Sequence, residues 1–288
     1  MQMKKIDKRK DSGVGMAEWI ARALSFVLRL VSPPKCPLCS TLIENDGVLC
    51  EKCLKYYTDA MNRRCPLCAK TARSCTCRPY SMTLTGEVGE KKLIALSFLA
   101  RPESTDKGDM VTRRLVYNLK RNFARGSVKF SARLLSHEIL RHFAKNKEDI
   151  STWVLTYPPR SKSEIKKYGF DQSKQLVRRV SKYTGMKVES CFGRKTHKMQ
   201  KTLNAFERRQ NAEGAYYLLE DAAVKGKKYI IADDVITTGA TVNACADLLY
   251  KAGADTVFPV CVARTKKRRR KPQRNGPNKL WFKKKYGF

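Results

Sequence analysis

The sequence predicts an α/β fold built on a parallel sheet and preceded by a small cysteine-rich module. Three observations predict it. From Leu93 onward, short strand-like runs alternate with helical ones, the order that a parallel sheet with crossover helices needs. Eight of the 11 cysteines crowd between Cys36 and Cys77. One apolar run, Lys228 to Ala232, leads into two acids, three threonines and a glycine before a helix. The 288 residues suffice for two domains, and an apolar fraction of 42% excludes a disordered chain.

The elements follow in order. Residues 1–35 read as a basic start and an amphipathic helix that reaches about Val31, where Pro33-Pro34 stops it. Its polar positions Glu18, Arg22, Ser25 and Arg29 recur at helical spacing. The stretch is too short and too charged to span a membrane. Arg29 and the Ser32-Pro33-Pro34-Lys35 sequence also make a poor secretory leader. A helix packed on its own protein is the preferred reading, with a membrane-surface helix as the alternative. Residues 36–79 form the cysteine module, 80–264 the α/β domain, and 265–288 a basic tail.

Within the α/β domain, Tyr80 to Glu90 leads into a strand at Leu93 to Ala100, and Arg101 to Met110 reads as a polar loop. Helices are expected over Val111 to Arg121, Phe130 to Ala144 and Asp171 to Tyr183. A strand at Thr152 to Tyr157 is ended by Pro158-Pro159. Another at Lys228 to Ala232 is followed by a helix over Val242 to Ala252, closed by Gly253. Thr256 to Ala263 is the last strand.

The formal net charge is +34, from 60 Lys and Arg against 26 Asp and Glu. So large an excess repels itself unless an anion-rich partner is near, which points to nucleic acid, phosphorylated small molecules or anionic lipid. The cysteine distribution excludes a disulfide scaffold and predicts a reducing, cytoplasmic setting. It comprises Cys36-x-x-Cys39, Cys50-x-x-Cys53, Cys65-x-x-Cys68 and Cys75-x-Cys77. Two thiolates three residues apart can curl around one ion, and a second pair completes tetrahedral sulfur coordination, which suits Zn²⁺. Sequential and crossed pairing both fit the spacing. Four sulfurs leave no open position, so the zinc is expected to be structural. Cys191, Cys245 and Cys261 stand alone among apolar neighbours. His137, His142 and His197 lack any metal or triad pattern and read as surface or packing residues.

The segment Lys228-Tyr-Ile-Ile-Ala-Asp233-Asp234-Val-Ile-Thr237-Thr238-Gly239-Ala240-Thr241 carries the chemistry. Small side chains and Gly239 let backbone N–H groups turn inward around an anion, and the following helix adds its positive end. The hydroxyls of Thr237, Thr238 and Thr241 can donate to phosphate oxygens. Asp233 and Asp234 would repel phosphate, but they can accept hydrogen bonds from a vicinal diol or help hold Mg²⁺. Together these features describe a site for a ribose phosphate. Neither G-x-x-x-x-G-K-[ST] nor a well-placed G-x-G-x-x-G is present.

Asp233 to Thr241 resembles the phosphoribosyl diphosphate (PRPP) motif of type I phosphoribosyltransferases. With the N-terminal cysteine module, the chain is similar to the ComF family of competence proteins over roughly residues 36 to 264. Further resemblances are Tyr117-Asn-Leu-Lys120-Arg-Asn, Thr156-Tyr-Pro-Pro159-Arg-Ser and Tyr168-Gly169-Phe170-Asp171-Gln172, where Tyr168 and Asp171 depart from the family's R-G-F-N-Q. Arg194, Thr196, Gln200, Leu203, Arg208 and Asn211 resemble a spaced stretch of the same family. The resemblance implies a phosphoribosyltransferase-like domain that binds PRPP with Mg²⁺ through Asp233, Asp234, Thr237, Thr238, Gly239, Ala240 and Thr241. It also implies that Arg160, next to Pro159, and Lys120 meet the diphosphate, so that Asp233, Asp234, Arg160 and Lys120 form the catalytic group. Loss of the family arginine at Tyr168 removes one phosphate contact.

Two functions are expected on these grounds. One is a glycosyltransferase acting on PRPP, with an acceptor that the sequence does not name. The other is a non-catalytic nucleic-acid-binding competence factor that uses the zinc module and the basic tail. The tail, Thr265-Lys-Lys-Arg-Arg-Arg-Lys-Pro-Gln-Arg through Trp281-Phe-Lys-Lys-Lys-Tyr286, interleaves cations with aromatics and suits single-stranded DNA, or equally a solubilising extension. The family resemblance adds proteins of the competence machinery as partners.

Overall fold

The computed structural model describes residues 35–43, 48–75, 77, 93–99, 104–122, 125–195 and 214–265. The expected N-terminal helix, the Tyr80 to Glu90 stretch, the Thr196 to Asn211 positions and the tail beyond Thr265 lie outside them.

The frame is a parallel sheet of β1 (Ile94–Leu99), β2 (Trp153–Thr156), β3 (Lys187–Val188), β6 (Lys228–Ile236) and β7 (Thr256–Thr265), in the order β1-β7-β6-β2-β3. Every neighbouring pair is parallel. β4 (Phe192–Arg194) and β5 (Tyr216–Leu218) form a separate antiparallel pair. The helices are α1 (Glu51–Met61), α2 (Lys107–Tyr117), α3 (Arg125–Asn146), α4 (Lys162–Tyr168), α5 (Gln172–Thr184) and α6 (Ala240–Lys251). No described helix is long and apolar enough to cross a membrane.

Strands covered on both faces must be apolar nearly throughout, and β6 and β7 are. Successive residues fall in different core clusters. Ile94, Leu96, Ile230 and Val260 join Leu115, Leu135 and Leu176 on one face. Ala95, Ile231 and Cys261 join Cys245 and Leu249 on the other. The cysteine module takes part in both. Cys36, Leu38, Cys53 and Tyr57 belong to the first cluster, while Cys65, Ala72 and Cys75 belong to the second. Thus the module straddles the sheet at its β1 edge and shares its core. Arg73 adds a polar tie, its Nη1 donating to Oε1 of buried Glu138 on α3 at 3.1 Å.

Several elements differ from the sequence reading. The loop expected over Arg101 to Met110 gives way to α2 at Lys107, capped by the Asp106 side chain, which accepts from the Asp109 N–H. Gly108 argues against a helix on propensity, yet a Cβ there would lie 2.7 Å from the Tyr56 carbonyl oxygen. Close packing on α1 therefore explains the glycine. The helix expected to reach Arg121 ends at Tyr117 and continues as a π-helical turn, Asn118–Asn122. α3 is longer than expected, and α1 lies unforeseen inside the cysteine module. α4 was also unforeseen, although Ser161 and Glu164 form a readable capping box. β6 continues four residues beyond Ala232, and β7 runs through Thr265, where the tail was expected to begin. His142 packs on Phe258, with ring centroids 4.9 Å apart, as a packing residue should.

Candidate functional site

The site gathers at the C-terminal edge of the sheet, where ligands of open parallel sheets bind. β2 ends at Thr156, which is paired with Ile231, so β6 projects past it from Ala232 to Ile236. On its other side β6 stays paired with β7 as far as Ile236 opposite Arg264. Asp233 and Asp234 therefore stand on a strand end held from one side and open on the other. Gly239 follows with φ 86° and ψ 0°, the left-handed conformation that glycine adopts without strain. It turns the chain into α6, a 12-residue helix that starts at Ala240 rather than at Val242. The Ala240 N–H reaches Thr238 Oγ1 at 3.3 Å, and Thr265 Oγ1 donates to the Thr237 carbonyl at 2.7 Å. Thr241 is half-buried in the first turn.

Facing these acids are Lys120 on the π-helical turn and the start of α5. Lys120 Nζ lies 3.4 Å from Asp234 Oδ1. Gln172 Nε2 donates to Asp234 Oδ2 at 3.4 Å, and Ser173 Oγ donates to Asp233 Oδ1 at 3.3 Å. Burial raises the Asp233 pKa to about 7, with the neighbouring Asp234 charge as the second cause; Lys120, the Asp234 N–H and Ser173 oppose the shift.

Arg160, 9% exposed, is fixed from several directions. Its Nη2 donates to the Lys120 carbonyl at 2.8 Å, and its N–H donates to Asp171 Oδ2 at 2.9 Å. The guanidinium lies 5.0 Å from the centre of the Tyr168 ring and 5.8 Å from that of Phe170. Its Nε and Nη1 are buried without a hydrogen-bond partner among the described residues, as is Gln172 Oε1. Unmet buried polar atoms cost about 1–3 kcal/mol each unless a ligand, an ion or water completes the hydrogen bonding. Gln172 and Ser173 were not singled out as site residues from sequence. The readable signal is Asp171, which caps α5 and places both side chains in its first turn.

The structure thus brings Lys120, Asp233 and Asp234 together, ties Arg160 to the Lys120 backbone, and sets the Thr237 to Thr241 loop beside the acids. Arg194, from the family-like stretch, instead pairs with Glu164 at 3.1 Å and lies over the Tyr216 ring.

The cysteines form two groups, Cys36, Cys39, Cys50 and Cys53, and Cys65, Cys68, Cys75 and Cys77, with the sulfurs of each group within 4.8 Å of one another. Pairing is therefore sequential. A tetrahedron with Zn–S of about 2.3 Å has sulfur–sulfur edges of about 3.8 Å, so each group fits one structural zinc. A cleft of about 950 Å³ beside the first group is lined by Leu42, Ile43, Leu54 and Met110 among others, and by none of the site residues above.

A phosphoribosyl transferase domain matches residues 161–283, and a double zinc ribbon domain matches residues 27–82. DNA utilization protein YhgH of Escherichia coli O157:H7 is 29% identical over 234 residues, covering 80% of this chain and 90% of that protein. Competence protein ComFC of Streptococcus pneumoniae is 23% identical over 221 residues, covering 75% of this chain and 87% of that protein. An adenine phosphoribosyltransferase of Petrotoga mobilis is 49% identical over 43 residues, covering 15% of this chain and 25% of that enzyme.

Proposed function

From the premise that this chain joins a double zinc ribbon to a phosphoribosyl transferase domain, is homologous to DNA utilization and competence proteins, and is consistent with the ComF family, we propose that it binds PRPP or another ribose 5-phosphate group with Mg²⁺ and acts as a phosphoribosyltransferase in the handling of DNA or its nucleotides. One observation carries the reading. Two adjacent carboxylates lie in the last four residues of the central strand, and three residues after Ile236 a left-handed glycine opens a helix.

The 5-phosphate sits in the Thr237 to Thr241 loop, against the helix N-terminus and the threonine hydroxyls. Asp233 and Asp234 accept from the ribose hydroxyls. Arg160 offers Nε and Nη1, and Lys120 its ammonium, to the diphosphate. Transfer at the anomeric carbon needs leaving-group charge stabilised more than it needs a general base, and these two cations suit that task. Oxygens of Asp233 and Asp234 would help hold Mg²⁺, which supplies further charge neutralisation at the diphosphate.

PRPP with Mg²⁺ is expected to raise the unfolding midpoint, and the double variant Asp233→Asn, Asp234→Asn is expected to lose that shift. Thermal denaturation with and without ligand decides this, since an unchanged wild-type midpoint at saturating ligand removes the site. PRPP consumption measured against a panel of bases, amines and DNA ends identifies the acceptor. The second reading, a nucleic-acid-binding factor without turnover, draws on the net charge of +34 and on the relatives' names.

A further inference from the structure

Both cysteine groups are hydrogen-bonded through backbone carbonyls of their own loops, the first to the turn that carries Lys120 and the second to β7, the strand paired with β6. In the first group, the Pro37 carbonyl accepts from Asn118 Nδ2 and the Leu38 carbonyl accepts from Arg114 Nη1 at 2.7 Å. Asn118 opens the π-helical turn that bears Lys120, whose ammonium faces Asp234 and whose carbonyl holds Arg160. Gly126 on α3 sits close to the same loop, where an added Cβ would lie 3.2 Å from Pro37 Cγ.

In the second group, the Cys75 carbonyl accepts from Arg264 Nη1 at 3.3 Å and the Cys77 carbonyl accepts from Arg264 Nη2. Arg264 is only 1% exposed. Among the described residues no carboxylate forms an ion pair with it; four thiolates around Zn²⁺ would carry a net charge of −2 and would supply its counter-charge. Arg264 lies opposite Ile236 in the β6–β7 register, and the next residue, Thr265, bonds the Thr237 carbonyl. The first group thus supports the wall bearing Lys120, and the second supports the root of the phosphate loop.

We propose that Arg264 and Asn118 are positioning residues through which the two zinc sites set the geometry of the ligand site, so that zinc binding and ligand binding strengthen each other. This rests on the site reading given above. Each carbonyl keeps its place only while its cysteines are gathered on the metal. A released knuckle frees the buried arginine on one side and the π-helical turn on the other. Linkage requires the effect to be reciprocal, so bound ligand must tighten zinc by the factor by which zinc tightens ligand.

The test is equilibrium zinc competition between the full-length protein and a chelator buffer, at zero and at saturating PRPP with Mg²⁺ in excess of the chelator. Apparent zinc affinity is expected to rise about five-fold or more with ligand. In Arg264→Lys, which keeps the charge but cannot bridge two carbonyls, the ratio is expected to fall below about two-fold while zinc stays bound. A wild-type ratio of one, with PRPP binding established by its thermal shift, overturns the coupling and leaves the ligand site standing. Absence of that shift removes the site and the coupling together. Undiminished coupling in Arg264→Lys overturns the role of Arg264, and the same result in Asn118→Leu overturns that of Asn118. The wild-type ratio needs no variant to fold.

Discussion

Asp233 carries two opposing demands in one carboxyl group. Burial and the adjacent Asp234 raise its pKa, so the folded chain alone favours the protonated form. Accepting hydrogen bonds from both hydroxyls of a diol, or helping hold a cation, favours the ionised form. A raised carboxyl pKa contributes stability that is complete below the ordinary carboxylate range and is lost as pH rises through about 7. Asp233→Asn is therefore expected to raise the unfolding midpoint of the ligand-free protein at pH 8 by about 2 °C or more, with little change at pH 4. PRPP affinity in the unaltered protein should fall as pH drops from 8 to 6, because protons compete for the same oxygens. Denaturation and binding series across pH check both signs. Arg160 permits a sharper test. On the proposed reading its Nε and Nη1, unpartnered among the described residues, meet the diphosphate, so Arg160→Lys should weaken PRPP about ten-fold while affecting ribose 5-phosphate less. Equal losses for both ligands would place Arg160 elsewhere. Lys120, Arg160 and the acids could each be named from sequence through motif and resemblance. Gln172 is legible only as the end of a family-like segment and Ser173 not at all, because only the packing of α5 beside β6 turns them toward the carboxylates.

The decisive element is β6, and the reason is its length. A strand ending at Ala232 would leave the acids in a loop, whereas the nine-residue strand is paired with β7 as far as Ile236 and so gives Asp233 and Asp234 fixed directions. Apolar patterning could not show this, since two carboxylates interrupt the run while the backbone ladder continues. The α1–α2 pair teaches a similar lesson. Gly108 weakens the helical signal, but it is the residue that lets the two helices approach. Gly108→Ala is expected to destabilise the protein by about 1–3 kcal/mol, read as a lower midpoint in urea or heat, despite the better helix propensity of alanine. A stabilised variant would show that α1 and α2 do not pack this closely.

At the scale of the molecule, the zinc ribbon and the sheet domain share one apolar core on each sheet face. Removal of zinc should therefore lower the stability of the whole chain, as a single cooperative transition, rather than release an intact sheet domain. Calorimetry of metal-depleted protein checks this, and two independent transitions would count against it. The charge of +34 acts on the same scale. Single-stranded DNA binding is expected with a steep loss of affinity as salt rises, and deletion of residues 266–288 should flatten that slope. An unchanged slope after deletion would move the contact onto the folded part.

The α/β class, the two kinds of cysteine spacing and the acid–threonine–glycine loop are legible in the chain alone, because strand and helix periods, cysteine knuckles and small-residue loops are local chemistry. Tertiary structure decided the sequential cysteine grouping, the reach of β6 and the approach of Lys120 to Asp234. It also decided the burial of Arg264 between the second knuckle and the root of the loop. These depend on which surfaces of distant segments fit together and which buried polar groups then find partners, and no run of neighbouring residues encodes that.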